Sequence, residues 1–135
     1  MTSAFLRGGL GLAAVALLAV VLALDVKSTT RGPRASSLQP EGDYVALAGS
    51  SGPAAFGRRT ACGGVIGSET EGVSHPTLPC GARIFIDVGG RRVLTEVIDR
   101  GPYEPGRQFD LTGALARRLG LSGVRQVHWS YARLG

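Results

Sequence analysis

The stretch that leaves this chain the fewest options is Ala82–Ile98, read as ARIFIDV, Gly-Gly, then RRVLTEVI. Ile84, Ile86 and Val88 recur at the two-residue period of a strand with one buried face, and the second run is rich in β-branched residues. Joining the runs by Gly89-Gly90 predicts a β-hairpin, because both turn positions can then take positive φ without a Cβ clash. The second run ends in Val97-Ile98-Asp99-Arg100-Gly101-Pro102-Tyr103. A strand leaves the core, presents a carboxylate and turns at once. Such an aspartate either caps the turn through nearby backbone N–H groups or is held still for chemistry.

The rest of the chain is punctuated in the same way. Pro102, Pro105, Gly101 and Gly106 mark an irregular loop. A short helix is predicted over Gly113–Leu119, with Thr112 as its N-cap, Leu115 and Leu119 one turn apart, and Gly120 to end it. A last strand runs from Val124 to about Tyr131, and one short strand followed by glycine loops is expected between Tyr44 and Gly64. With 21 glycines and only 6% aromatic residues in 135, the chain reads as a small, turn-rich β protein. One helix among short strands predicts a small β-barrel.

The N-terminal 24 residues belong to a different class. Gly8–Leu24 carries no charge and would measure roughly 26 Å as a helix at ~1.5 Å per residue. That length suits a signal peptide or a signal-anchor, so export is expected, either to the cell wall or to the outer face of the cytoplasmic membrane. Residues 25–42 are rich in Ser, Thr, Pro, Gly and Arg and lack an apolar period, which predicts a flexible linker before a folded domain at 43–135. From residue 41 onward eleven arginines face nine acidic residues. That balance is too mild for a nucleic-acid partner.

Two cysteines, Cys62 and Cys80, are present. In an exported chain an even pair implies a disulfide, and a loop of this size is worth roughly 3 kcal/mol to a domain with a thin core. The rival is a zinc site from Cys62, His75, Cys80 and His128, but no C-x-x-C or H-x-x-x-H spacing supports it, and no metal is expected.

Four segments occur in order: RRTACGG (58–64), SHPTLPCGARI (74–84), VIDRGPY (97–103) and GRQFDLTGALARRLGL (106–121). Together they resemble the rare lipoprotein A family of septal-ring lytic transglycosylases, in its cysteine-containing actinobacterial form, and are similar to the barrel domain of expansins. The resemblance covers about residues 43–132. It implies a mainly β fold, a six-stranded double-psi β-barrel with one or two short helices, and a groove for peptidoglycan glycan strands. It further implies cleavage of the MurNAc–GlcNAc β-1,4 bond without water, leaving a 1,6-anhydro end, and needs no cofactor. Division-site proteins are the partners such a family suggests, with the membrane as a further contact if the leader stays uncleaved.

Within that resemblance Asp99 matches the catalytic aspartate. A glycosidic bond breaks when its leaving oxygen is protonated, and a sugar hydroxyl then attacks, so one carboxyl can give and later take the proton. Partial burial is expected to suit Asp99 to acid duty, with the Arg100 side chain pointing elsewhere. His75 matches the family's active-site histidine, in H-x-T-L-P. Thr60, Arg59, Tyr103, Arg100 and Asp110 are the expected substrate-binding residues; Arg58 shares the reading given to Arg59, and Asp110 is also suited to fixing the start of the helix. One departure stands out. Gly64 occupies the position where active members of the family carry a glutamate, leaving Glu69 or Glu71 as replacements or, alternatively, an expansin-like module that binds or loosens wall without cutting it.

Overall fold

The computed structural model describes residues 36–102 and 104–135. The leader, the first part of the expected linker and Tyr103 lie outside the described residues. Six strands are formed: β1 (Leu38–Ser50), β2 (Val73–Ser74), β3 (Arg83–Val88), β4 (Arg91–Asp99), β5 (Phe109–Leu111) and β6 (Arg125–Leu134). They close into a barrel in the order β1-β5-β2-β4-β3-β6. β1 pairs with β5 and β2 with β4 in parallel, and the other four pairings are antiparallel. This is the six-stranded double-psi β-barrel that the resemblance implies.

The apolar period explains the wall. Ile84, Ile86 and Val88 of β3 are buried and face Val93 and Val97 of β4, with Phe109 and Leu111 of β5 and Val127 of β6 completing the same core. Fully burying a side chain of this size contributes roughly 1.5–3 kcal/mol. The Gly-Gly turn forms as expected, with φ of 58° at Gly89 and 84° at Gly90. Asp87 tightens it by accepting the Gly90 N–H at 2.9 Å.

β1 starts at Leu38, inside the stretch 25–42 read as linker, and Leu38–Glu41 pairs with Leu134–Tyr131 of β6. Pro40 and Gly42 hide this strand from a propensity reading, because neither favours a strand interior. The irregularity in register between Glu41 and Tyr44 absorbs them, and Gly42 has φ 84° there. The helix α1 (Gly113–Leu119) has the predicted caps: Thr112 Oγ1 accepts the Leu115 N–H at 3.4 Å, and Gly120 is left-handed at φ 68°. A single 3₁₀ turn at Pro53–Ala55 follows β1.

Candidate active site at the end of β4

Burial along β4 alternates, and Val93, Thr95, Val97 and Asp99 are its buried positions. The period that packs the core therefore carries Asp99 inward as its last step, and its side chain is 1% exposed. Oδ1 accepts two backbone N–H groups, from Ala61 at 2.8 Å and from Arg100 at 2.8 Å. Oδ2 is 2.8 Å from Arg58 Nη1, a charge contact without hydrogen-bond alignment, since among the described residues Oδ2 has no hydrogen-bond partner. Asp99 thus caps its own turn and also anchors a distant loop.

That loop, residues 57–66, is a narrow hairpin. Gly57 N donates to Ile66 O, Ile66 N to Arg58 O, and Arg59 bridges Val65. At its tip Thr60 N donates to Gly64 O, and Thr60 Oγ1 accepts from Gly64 N at 2.9 Å. The Cys62–Cys80 disulfide, with Cα atoms 5.5 Å apart, ties this tip to the 75–82 loop. The cysteines are bonded to each other, so the zinc alternative fails for lack of thiolates.

His75 opens the second loop. Its backbone N–H donates to Asp99 O at 3.2 Å, so this loop is tied by backbone to the end of β4. Its imidazole turns to other partners: Nδ1 accepts the N–H of Thr77 at 3.1 Å and of Leu78 at 3.0 Å, and the ring lies 4.7 Å from that of Phe109. With Nδ1 an acceptor, the proton of the neutral ring sits on Nε2. Burial, and then the charge of Arg100, lowers the histidine below its ordinary 6.5. The Arg100 side chain points away from the Asp99 carboxylate, as expected. Its Nη1 donates to His75 O at 3.2 Å and Leu78 O at 2.7 Å, bracing the loop rather than lining a groove.

A second buried carboxylate lies two strands away. Ser74 of β2 pairs with Asp99 on one side and Asp110 of β5 on the other. Asp110 is paired with Arg107, Nε to Oδ1 2.6 Å. Burial raises its pKa above 3.8, against the opposing pull of Arg107 and, more weakly, Arg58. Arg58, Arg107, Asp110, Glu104 and Ser51 line one hollow of about 400 Å³. Thr60, Gly64, the disulfide and Glu96 line another of about 430 Å³. A third, about 420 Å³, lies by the β1 bulge with Asp43 and His128, and contains neither Asp99 nor His75.

Among the expected contact residues, Thr60 and Asp110 border these hollows, Arg59 is exposed, and Tyr103 lies outside the described residues. Arg58, Arg107, Glu104 and Glu96 border them too. No spacing marked Arg58 out from Arg59; only the alternation of a hairpin arm, which sends neighbours to opposite sides, separates them. Glu69 and Glu71 pair instead with Arg117 at 3.7 Å and Arg118 at 2.7 Å on α1, and neither borders the hollow beside Gly64.

Comparison with known proteins adds to this geometry. The family model described as lytic transglycolase matches residues 49–131. The endolytic peptidoglycan transglycosylase RlpA of Yersinia pestis is 39% identical over 85 residues, covering 62% of this chain and 24% of that protein. The protein of the same name from Rickettsia bellii is 28% identical over 110 residues, 78% of this chain and 48% of its own. The chain thus spans between about a quarter and a half of these relatives. Among solved structures the Streptomyces papain inhibitor superposes with a TM-score of 0.55 at 20% identity, over 71% of this chain and 99% of that one, a likeness of fold.

Proposed function

The chain belongs to the lytic transglycolase family, the double-psi barrel group that includes the rare lipoprotein A proteins, and on that premise we propose that it is an exported protein that cleaves peptidoglycan glycan strands. Asp99 is the general acid and base. It protonates the leaving oxygen of a MurNAc–GlcNAc bond, the MurNAc C6 hydroxyl attacks C1, and the carboxylate then takes the hydroxyl proton, leaving a 1,6-anhydro end and no net consumption of water. His75, with its proton on Nε2, serves as a hydrogen-bond donor to the sugar rather than as a second base.

The observation that carries this reading is the asymmetry of the Asp99 carboxylate. Oδ1 is fixed by two backbone donors, which aim the group, while among the described residues Oδ2 lies against Arg58, a side chain that also borders an open hollow. Two backbone donors hold the carboxyl in one orientation at the end of β4, the fixed aim that proton transfer needs, while its Oδ2 is itself buried. The disulfide supports export, since such bonds persist in oxidising compartments.

A second reading, a module that binds or loosens wall without cutting it, is favoured by Gly64 and by the deep burial of Asp99. Digestion of denuded glycan strands by the purified domain, followed by mass spectrometry, separates the two. Anhydro-ended products that vanish in Asp99→Asn support catalysis. Sedimentation with sacculi but no product after long incubation leaves the binding module.

A further inference from the structure

We propose that the Cys62–Cys80 disulfide is a thiol-exchange site, at which a small thiol bearing an ammonium group attacks Cys62, expels Cys80 and so loosens the aim of Asp99. The link to catalysis rests on the reading above; the exchange itself does not. The bond joins two loops that both serve the end of β4. The 57–66 hairpin carries Ala61, whose N–H holds Asp99 Oδ1 at 2.8 Å, and the 75–82 loop carries His75. Cys62 is half-buried and Cys80 exposed, and both border the hollow of about 430 Å³ beside Gly64.

The two sulfurs are not equivalent. Arg100 Nη2 donates to Cys80 Sγ at 3.5 Å, while nothing among the described residues donates to Cys62 Sγ. The same guanidinium donates to His75 O and Leu78 O, so it stays with the Cys80 loop when the bond opens. A nearby cation stabilises a thiolate, and in exchange the sulfur that forms the better thiolate leaves. The incoming sulfur therefore ends on Cys62. Among the described residues Glu96 is the one charged side chain bordering the hollow, and its Oε1 lies 3.7 Å from where a Cβ on Gly81, next to Cys80, would sit. It favours an incoming ammonium over a carboxylate.

The step balances without an oxidant. The thiolate forms a bond to Cys62 Sγ, the Cys62–Cys80 bond breaks, and its electron pair leaves on Cys80 Sγ as thiolate. Attack by that thiolate on Cys62 Sγ later expels the small thiolate and restores the bond. The hairpin keeps its own ties throughout, Thr60 N to Gly64 O and Gly57 N to Ile66 O, at 2.8 Å each. What it loses is the tether to the 75–82 loop, and with it the fixed position of the Ala61 N–H against Asp99. Exchange thus acts on the acid rather than on the barrel.

Cysteamine and 3-mercaptopropionate, incubated with the purified protein and quenched with acid, test this. Peptide mapping should find the adduct on Cys62 and the free thiol on Cys80. Arg100→Lys, which keeps the charge, should preserve that choice, and Arg100→Gln should spread the adduct over both cysteines. Glu96→Gln should slow cysteamine about threefold and speed 3-mercaptopropionate by a similar factor. In the adduct the Ala61 amide should exchange hydrogen roughly tenfold faster while β3 amides are unchanged. Anhydro-ended product should fall with adduct formation and return when the thiol is removed. No adduct, an adduct on Cys80, or indifference of both thiols to Glu96→Gln overturns the exchange site. An unchanged Ala61 amide, β3 amides loosened as much as Ala61, or product unchanged in the adduct overturns its coupling to Asp99. No product from the untreated protein overturns the catalytic reading alone, because adduct position and amide exchange still report on the site.

Discussion

Two arginine–aspartate pairs sit near one hollow, and they differ in a single respect that decides what each can do. Arg107 and Asp110 are 14% and 7% exposed, while Arg58 and Asp99 are 35% and 1% exposed. In the first pair both partners are packed; in the second the anion is sealed in and the cation reaches out. Asp99 also has two backbone donors on Oδ1, so its position does not depend on its arginine. Depth of the cation, rather than of the carboxylate, separates a strut from a site.

The sharpest way to break the comparison is to remove each cation in turn. Arg107→Ala leaves Asp110 buried without its partner, and a loss of about 3–5 kcal/mol in urea unfolding is expected, the cost of an orphaned buried charge. Arg58→Met should cost less, because the buried Asp99 carboxylate keeps its two backbone N–H donors. Equal losses would show that the pairs are both structural.

Titration sharpens the contrast next. Burial raises the Asp110 pKa from 3.8, so the folded state binds a proton that the unfolded state releases. Stability from this group is therefore greatest at low pH and falls as pH rises through the window that begins at 3.8 and ends at the raised value. Asp110→Asn should flatten that segment of a plot of Tm against pH. His75 works in the opposite sense: its pKa is lowered from 6.5, so the unfolded state binds the extra proton and stability rises with pH up to about 6.5. His75→Gln should remove that rise, read from the same melts.

How much of this could be read from sequence follows from range. The β3–β4 hairpin and α1 declare themselves because their signals are local: a period of two around Gly-Gly, and Thr112 and Gly120 at either end of an apolar pair. β2 and β5, two and three residues long, carry no period at all, since their partners across the parallel pairings supply their register. The barrel was legible only through the resemblance. The inward direction of Asp99 was legible too, as the third two-residue step from Val93. Its partner Arg58 was not, because the pairing depends on the 57–66 hairpin folding back over the end of β4, a contact between segments about forty residues apart.

The smallest expected effect on stability bears most directly on function. Gly64 stands where the resemblance places a glutamate, and its neighbour Gly63 holds φ 105°, a conformation that a side chain rarely adopts. Gly64 itself is outside the positive-φ glycines, and a Cβ there would meet only Thr60 Oγ1, at 3.6 Å. The loop therefore did not need a glycine at this position; the space beside Thr60 is open. Gly64→Glu should change stability by no more than about 0.5 kcal/mol. A positioned acid or base typically contributes ~10²–10⁴-fold, so a tenfold or larger rise in anhydro-ended product on denuded strands is the expected outcome. Such a rise would mean that the hollow by the disulfide and the Asp99 carboxylate serve one reaction from two sides of the 57–66 loop. An unchanged rate, in a variant that folds and binds as the parent does, would mean that Asp99 works alone at the other side and that the loop divides the molecule into a reactive half and a merely supporting one.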